Sequence, residues 1–226
     1  MSPNNPSSSG LTALVPARGG SRRIPRKNIQ LFGEHPLIAH SIRAAQAASH
    51  VGQVYVLTDD PEIADVARSY GATVPYLRAP QTSSDVASSE SVIDEFIDAL
   101  NPDGDFVFLQ PTSPLRTAWH IDQAYADYCQ RAGGASISVT DYMEGDAYPV
   151  FVDPNKQIYL SIKKGANAAL NGAIYMTSFA SWRKMHSFWG EQTYAFFMDK
   201  SVSVDIDRPE DFQQALNLHL SRQETE

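Results

Sequence analysis

The sequence has 226 residues, of which 42% are hydrophobic and 19% are charged, as in an ordinary globular protein. Its 18 basic and 26 acidic residues give a net charge of -8, which argues against a nonspecific nucleic-acid binder. The single cysteine, Cys129, excludes a disulfide framework and a cysteine-based zinc site within one chain. The length fits one α/β domain, or at most two small ones.

Both ends of the chain are polar. Residues 1–10 contain four Ser, two Pro, two Asn and one Gly, and this composition predicts a disordered lead-in. They lack the apolar core of a secretory signal, and no segment approaches the roughly 18–20 apolar residues of a membrane span. A cytoplasmic protein without a membrane partner is therefore the expectation.

Strands and helices alternate through the first two thirds of the chain. Short apolar runs bounded by Gly, Pro or acidic residues predict strands, and apolar residues three or four apart predict helices between them. The predicted strands cover 11–15, 53–60, 105–110 and 134–142, with a short extended piece at 73–77. The predicted helices cover 35–48, 61–72, 91–100 and 120–132. This alternation indicates an α/β fold with a doubly wound, mostly parallel sheet.

The alternation stops in the last third of the chain. Residues 143–178 contain short extended runs separated by turns, which predict either a β-rich insertion or an antiparallel extension of the sheet. The later predicted elements are a helix at 179–190, a strand at 201–207 and a helix at 208–222. Because no repeat or linker is visible, we predict a single domain over 11–222, with residues 143–190 as a small β-rich excursion.

The excursion (residues 143–190) and the residue before it are rich in aromatic side chains. These are Tyr142, Tyr148, Phe151, Tyr159, Phe179, Trp182, Phe188 and Trp189. Short strands cannot bury so much aromatic surface alone, and aromatic enrichment is typical of subunit interfaces. We therefore predict a homodimer built through the excursion. The alternative is that these aromatics cover an ordinary second core.

A basic loop follows the first predicted strand. Five basic residues lie within ten positions, and Gly19 and Gly20 lie among them; the five are Arg18, Arg22, Arg23, Arg26 and Lys27. Glycines let backbone N–H groups approach an anion, and Arg or Lys neutralise phosphate charge. The glycine spacing of a P-loop or a dinucleotide fingerprint is absent. The pattern favours a phosphate-binding loop over a solvated basic loop.

Two carboxylates end the predicted strand at 201–207. On a strand, residues i and i+2 face the same side, so Asp205 and Asp207 would converge. Such convergence is costly unless a cation lies between the carboxylates, and Mg²⁺ prefers oxygen ligands. The alternative is a pair of solvated or helix-capping acids before Pro209.

A rigid polar turn follows the strand at 105–110. Its sequence, QPTSPLR, runs from Gln110 to Arg116 and offers an amide, two hydroxyl groups and a guanidinium group. Structural capping explains the hydroxyl groups of Thr112 and Ser113 equally well.

Four motifs together resemble the acylneuraminate cytidylyltransferases, also called CMP-sialic acid synthetases. They are VPARGGSRRIPRKNI (15–29), LQPTSPLR (109–116), NGAIY (171–175) and DIDRPEDF (205–212). They occur in the family's order and at compatible spacing, and the resemblance covers nearly all of residues 11–220. The first motif also separates the chain from sugar nucleotidyltransferases with a Gly-rich start.

The resemblance implies a Rossmann-like nucleotidyltransferase fold and a defined reaction. CTP and a nine-carbon 2-keto sugar acid, such as sialic, legionaminic or pseudaminic acid, would give the CMP-sugar and pyrophosphate. Mg²⁺ would assist, and the enzyme would be a dimer whose excursion reaches the partner's sugar site. A CMP-Kdo-type synthetase and a catalytically inactive nucleotide-binding scaffold are the alternatives.

The resemblance also implies a role for individual residues. The implied catalytic residues are Arg18, Lys27 and Asp207. The implied nucleotide-binding residues are Arg18, Gly19, Gly20, Ser21, Arg22, Lys27, Asn28, Arg78, Ala87 and Ser89. Gln110, Asn171 and Tyr175 would bind the sugar, and Asp205 and Asp207 would bind the metal.

The sequence departs from the family pattern in two places. Ala168 and Ala169 stand where family members often have an aromatic residue and an Arg, so a cationic partner for the sugar carboxylate is missing there. Lys163 and Lys164 are candidates to replace it. The pair Arg22-Arg23 stands where many sialic-acid enzymes have Lys-Gly, and is similar to relatives that act on pseudaminic and legionaminic acid.

Overall fold

The computed structural model describes residues 10–83, 87–131, 133–160 and 165–223. Except for Gly10, the predicted lead-in lies outside the described residues, and so do Lys163 and Lys164. No helix in these described ranges is long and apolar enough to cross a membrane.

Ten strands and seven helices are described. The strands are β1 (Leu11–Pro16), β2 (Leu31–Phe32), β3 (His35–Pro36), β4 (Val51–Leu57), β5 (Asp105–Phe108), β6 (Ala135–Asp141), β7 (Pro149–Val152), β8 (Ile158–Tyr159), β9 (Ala168–Ser178) and β10 (Thr193–Phe197). The helices are α1 (Leu37–Ala47), α2 (Pro61–Ser69), α3 (Pro80–Ser83), α4 (Ser89–Leu100), α5 (Ala118–Cys129), α6 (Phe179–Met185) and α7 (Pro209–Gln223).

The main sheet has the strand order β10-β6-β9-β5-β1-β4. Strand β1 is parallel to β4 and β5, and β10 is parallel to β6. Strand β9 lies between β5 and β6 and is antiparallel to both. Five of these six strands therefore run in one direction, which confirms the predicted mostly parallel sheet.

Helices cover both faces of the sheet, as a doubly wound fold requires. One apolar cluster joins the sheet to α1, α2, α5 and α7. A second cluster joins the opposite face to α4, α6, β7 and β8. Strands β1 and β5 are buried on both sides and are mostly apolar, whereas β6 buries the hydroxyl residues Ser136, Ser138 and Thr140 between its apolar ones.

The strand predicted at 201–207 is wrong. A 3-10 turn covers Lys200–Val202, and residues 203–207 form no strand. The sheet position belongs instead to β10, whose parallel register with β6 runs from Thr193 to Phe197. With that edge taken, residues 203–207 cross the carboxyl ends of the strands, where Ile206 donates its backbone N–H to the carbonyl of Thr112 (2.8 Å).

Much of the excursion belongs to the core, which contradicts part of the interface prediction. Strand β9 is central in the sheet, and Phe179, Trp182 and Phe188 are only 0%, 0% and 5% exposed. All three rings pack against Phe106 of β5. For these three side chains the alternative of a second core is confirmed, because the sheet needs an apolar cover on this face.

Candidate active site

A cavity of about 430 Å³, called the main cavity because most of the predicted site residues line it, opens at the carboxyl ends of β1 and β5. This is where open α/β sheets bind ligands. The predicted site residues that line it are Arg18, Ser21, Lys27, Asn28, Arg78, Ala87, Ser89, Gln110, Tyr175, Asp205 and Asp207. Four other predicted residues, Gly19, Gly20, Arg22 and Asn171, are not among its lining residues.

The basic loop is fastened to the start of α2 by the two acids that follow β4. Gly19 donates its backbone N–H to Asp59 (3.0 Å), and Arg26 pairs with Asp60 and Glu62. Asp60 also caps α2 by accepting from the N–H groups of Glu62 (2.9 Å) and Ile63. A Cβ at Gly19 would lie 2.6 Å from the Asp60 carboxylate, so this glycine is needed for the contact between the loop and Asp60.

Lys27 joins the basic loop to the crossing segment (residues 203–207). Its Nζ donates to the backbone carbonyl of Ile206 (2.6 Å). Burial lowers the pKa of the Lys27 ammonium group, and the nearby carboxylates of Asp207 and Asp205 oppose that shift. The neighbouring Asn28 donates its amide N–H to the carbonyl of Arg18 (3.0 Å), which joins the end of the basic loop to its beginning.

The two predicted metal ligands lie in different environments. Burial raises the pKa of Asp205, and a hydrogen bond from Thr112 opposes the shift. Asp205 Oδ1 is buried and has no hydrogen-bond partner among the described residues. The carboxylate of Asp207 is 54% exposed and accepts from Arg23 (3.1 Å). The predicted strand is absent, but both carboxylates still line one cavity.

The available oxygen ligands fit a divalent cation that keeps some of its coordinated water molecules. An unpaired buried carboxylate oxygen on Asp205 is a ready ligand, and Asp207 supplies a second. No cluster of three or more His, Cys, Asp or Glu ligands occurs within the described ranges. Two carboxylates, with water and phosphate oxygens completing the octahedron, are the arrangement that Mg²⁺ favours.

The wall near the start of α4 is built around a buried cation. Arg78 is only 7% exposed and donates its backbone N–H to the carbonyl of Thr58 (2.8 Å). Burial lowers the pKa of its guanidinium group, and Asp59 and Glu95 oppose the shift. Ala87 and Ser89 line the same wall.

Beside the main cavity lies a largely apolar annex of about 160 Å³, which shares Ser89, Phe108, Gln110, Leu170 and Tyr175 with it. The annex is lined by Ser89, Glu90, Phe108, Gln110, Leu170, Tyr175, Phe188 and Trp189. In the part of the chain that the structure describes, no Lys or Arg lines the annex, and the cations of the main cavity are Arg18, Lys27 and Arg78. The cavity therefore has a charged half and a largely apolar half, to which Glu90 contributes a carboxylate.

The turn after β5 supplies both wall and framework. Gln110 and Thr112 line the main cavity. Ser113 is fully buried and donates its hydroxyl to the carbonyl of Asn171 (3.1 Å). Arg116 is 2% exposed and donates to the carbonyls of Gln110 (3.3 Å) and Ala173 (2.8 Å). The guanidinium group in this motif therefore holds the turn against β9.

Some cavity residues were missed by the sequence prediction. Thr112, Tyr148, Leu170 and Gly172 line the main cavity but were not predicted as site residues. Gly172 has φ of 70°, and a Cβ there would lie 2.8 Å from Gln110 Oε1. The glycine of the NGAIY motif was the available signal, whereas Tyr148 and Leu170 reach the cavity only through tertiary packing.

Comparison with known proteins supports the resemblance. Residues 12–223 match the family model described as Cytidylyltransferase. The chain is 34% identical to a CMP-N,N'-diacetyllegionaminic acid synthase from Legionella pneumophila, over 89% of this chain and 93% of that protein. It is 29% identical to a pseudaminic acid cytidylyltransferase from Campylobacter jejuni, over 94% of this chain and 97% of that protein.

Other similar proteins differ in length or share only the fold. The chain is 30% identical to an N-acylneuraminate cytidylyltransferase from Streptococcus agalactiae, over 88% of this chain but only 51% of that protein, and so spans about half its length. A solved CMP:2-keto-3-deoxy-manno-octonic acid synthetase, complexed with CTP, superposes with a TM-score of 0.76 at 18% identity, over 95% of this chain and all of that one. The family-model match and the Legionella relative confirm the resemblance: the chain belongs to the cytidylyltransferase family.

Proposed function

We propose that the protein transfers CMP from CTP to a nonulosonic acid and releases pyrophosphate. The observation that carries the proposal is one cavity in which a basic loop faces two carboxylates, beside a largely apolar annex. Cations suit a triphosphate, and the annex suits a sugar with apolar substituents. The proposed compartment is the cytoplasm, in keeping with a lone cysteine, Cys129.

The charged half would bind the triphosphate. Arg18, Ser21 and Lys27 line the cavity where the triphosphate would lie, and Gly19, Gly20 and Arg22 are proposed contacts from the remainder of the loop. The anomeric oxygen of the sugar bonds to the α-phosphorus, the bond to the bridging oxygen breaks, and the hydroxyl proton passes to water. Lys27 and Arg18 would neutralise the charge that the leaving pyrophosphate gains.

Asp205 and Asp207 would hold Mg²⁺, whose chemistry is to neutralise phosphate oxygens and orient the triphosphate. The unpaired oxygen of Asp205 supports this assignment. Asn28, Arg78, Ala87 and Ser89 would border the ribose and cytosine, because they line the wall next to the triphosphate loop.

The apolar half would bind the sugar acid, with Gln110 and Tyr175 as its polar contacts. Both residues line the main cavity and the annex. The annex wall of Leu170, Phe188 and Trp189 offers apolar surface for acyl methyl groups, which Kdo lacks. This favours a nonulosonic acid over Kdo, and the near full-length relatives named for legionaminic and pseudaminic acid support it.

We also propose that the protein is a homodimer, joined through the exposed part of the excursion. Met143, Tyr148 and Leu160 are 60%, 66% and 59% exposed. Light scattering should give twice the chain mass of 24.9 kDa, and Met143→Glu should shift the particle toward the monomer. A monomeric wild type would contradict this proposal.

One assay separates the proposed activity from its alternatives. Purified protein is incubated with CTP, Mg²⁺ and a panel of free sugar acids, and pyrophosphate release is measured. Release with an acylated nonulosonic acid is the expected result. Release only with Kdo would favour a CMP-Kdo-type synthetase, and no release with any acid would favour an inactive nucleotide-binding scaffold.

A further inference from the structure

The NGAIY motif forms a bulge in β9. In the pairing of β6 with β9, Ile137 lies opposite Tyr175 and Val139 lies opposite Leu170. The four β9 residues from 171 to 174 therefore stand against the single residue Ser138. Gly172 takes the left-handed backbone conformation that this bulge needs.

Two side chains replace the ladder hydrogen bonds that the bulge interrupts. Ser138 Oγ accepts from the backbone N–H of Ile174 (2.7 Å) and donates to Asn171 Oδ1 (2.6 Å). The same Oδ1 also accepts from the N–H of Ala173 (3.2 Å). Since that N–H can only donate, the carbonyl end of the Asn171 amide must face the bulge.

The other end of the amide therefore faces the crossing segment. Asn171 Nδ2 donates to Ser203 Oγ (2.9 Å), and Ser203 Oγ donates to the carbonyl of Asp199 (2.8 Å). Asn171 is 2% exposed, and it lines neither the main cavity nor the annex. Its amide is thus engaged inside the protein at both ends.

The crossing segment depends on such side-chain contacts because no strand pairing fixes its position. Apart from the bonds that Ser203 makes with the turn before it, the segment's other described polar contacts lie at or after Asp205. Thr112 bonds the Asp205 carboxylate, Thr112 and Lys27 hold Ile206, and Arg23 and Asp211 hold Asp207. In the chain, Ser203 lies two residues before Asp205, and Ile206 directly follows Asp205. The Ser203 contact therefore helps to set how far the Asp205 carboxylate reaches into the cavity.

We propose that Asn171 is a positioning residue, which places the Asp205 carboxylate by holding Ser203, and that it does not bind the sugar. This inference rests on the proposed function and replaces the sugar-binding role that the resemblance implies for Asn171. It predicts that removing either partner of the bond between Asn171 and Ser203 lowers turnover and metal affinity, since both changes release the same segment. Asn171→Ala also removes the bulge contacts to Ser138 and Ala173, so Ser203→Ala is the more selective change.

The test compares Asn171→Ala, Ser203→Ala and the double variant with the wild type, with Ser201→Ala as the matched control on the turn before Ser203. The measurements are kcat, the KM for the sugar acid, and the affinity of the enzyme–CTP complex for Mn²⁺ by EPR. Both single variants should lose about three- to tenfold in kcat and in Mn²⁺ affinity, the scale of one lost hydrogen bond. The sugar KM should stay within about twofold, and the double variant should be no worse than the poorer single one. Ser201→Ala should match the wild type.

A sugar ligand at Asn171 would give the opposite pattern. Asn171→Ala would then raise the sugar KM more than about tenfold, and Ser203→Ala would behave as the wild type, which would overturn the inference. If Asn171→Ala does not fold, Ser203→Ala decides alone, because an unchanged kcat and Mn²⁺ affinity in that variant contradicts the inference. A wild type that releases no pyrophosphate refutes the proposed function instead, and the Mn²⁺ titration with CTP still decides the role of Asn171.

Discussion

The two halves of the cavity are held in place by different physical means. In the charged half, Arg18 and Lys27 lie on a loop, and ion pairs and backbone hydrogen bonds fasten that loop to α2 and to the crossing segment. In the apolar half, the side chains lie on α4, on β5 and the turn after it, on β9 and on the segment after α6, and the aromatic residues among them pack with the buried core.

This difference follows from what each half would recognise. Coulombic attraction to a triphosphate falls slowly with distance, so loops are adequate to carry the charges. The fit of an acyl group depends on contacts that weaken within an ångström, so its pocket needs a packed strand. We therefore expect changes in the charged half to affect CTP use and turnover, and changes in the annex to affect the choice of sugar.

Removal of a carboxylate from the charged half should have the largest effect. Asp207→Asn is expected to lower kcat by about a thousandfold or more, because metal neutralisation of phosphate charge supplies several kcal/mol. The Asp207 side chain is 54% exposed, so the unfolding temperature should change little. Steady-state kinetics over a range of Mg²⁺ concentrations checks the loss.

The control for Asp207 is Glu210→Gln, on the exposed first turn of α7. It removes one negative charge three residues away and should leave kcat within about twofold, since a well-exposed charge contributes little. If Asp207→Asn retained Mg²⁺-dependent turnover, the metal role would be refuted.

Removal of a cation from the basic loop should have the second-largest effect. Lys27→Met is expected to lower kcat/KM for CTP about ten- to a hundredfold, the cost of a charge-assisted phosphate contact. The matched variant Arg23→Met removes a cation of the same loop that pairs with Asp207 at the surface and does not line the cavity. It should lose no more than about threefold. Equal losses in the two variants would mean that the loop acts only through its overall charge.

The annex should separate sugar binding from CTP binding. Trp189→Ala is expected to raise the KM for the sugar acid about tenfold while the KM for CTP stays within about twofold, because Trp189 lines the annex only. Trp119→Ala is the control, since Trp119 is 63% exposed on α5 and lines neither cavity. A parallel rise in both KM values would show that the two halves do not act separately.

The charged half was also the easier half to predict from sequence. Arg18 and Lys27 follow β1, whose apolar run is plain, and the carboxyl ends of parallel strands meet at one edge. Asp205 and Asp207 both line the cavity even though the strand predicted to carry them was wrong. An alternating run such as SVSVDID resembles a strand, and only tertiary competition from β10 excludes it from the sheet.

The apolar half was harder to predict because long-range pairing brings its residues together, although Gln110 and Tyr175 were predicted there. Nothing local in residues 168–178 indicates that they run between β5 and β6 rather than at an edge, so Leu170 was not predicted. Trp182 was predicted at an interface, although it donates its ring N–H to Asp94 (2.7 Å) and lies in the core. Aromatic richness alone does not distinguish a core from an interface.

The smallest predicted effect is a gain in the free energy of unfolding when Asp205 in the charged half loses its charge. Asp205 Oδ1 is buried without a partner among the described residues, and burial raises the pKa of this carboxyl in the folded protein. Asp205→Asn removes the charge while keeping the shape. At pH 7, without metal or CTP, the variant should be about 1–2 kcal/mol more stable, a rise of roughly 2–8 °C in unfolding temperature.

The sign of the pH dependence gives this last prediction its test. Below the ordinary aspartate pKa of 3.8 the carboxyl is neutral in both the folded and the unfolded chain, so wild type and Asp205→Asn should unfold alike. As pH rises through the raised folded-state pKa, the unfolded chain ionises more readily, and the wild type should lose stability relative to the variant. Calorimetry from pH 4 to pH 8 measures this widening gap. Mg²⁺ with CTP should close this gap by stabilising the wild type alone. If the variant were instead less stable than the wild type at every pH, contacts within the protein would stabilise the Asp205 carboxylate, which contradicts the prediction.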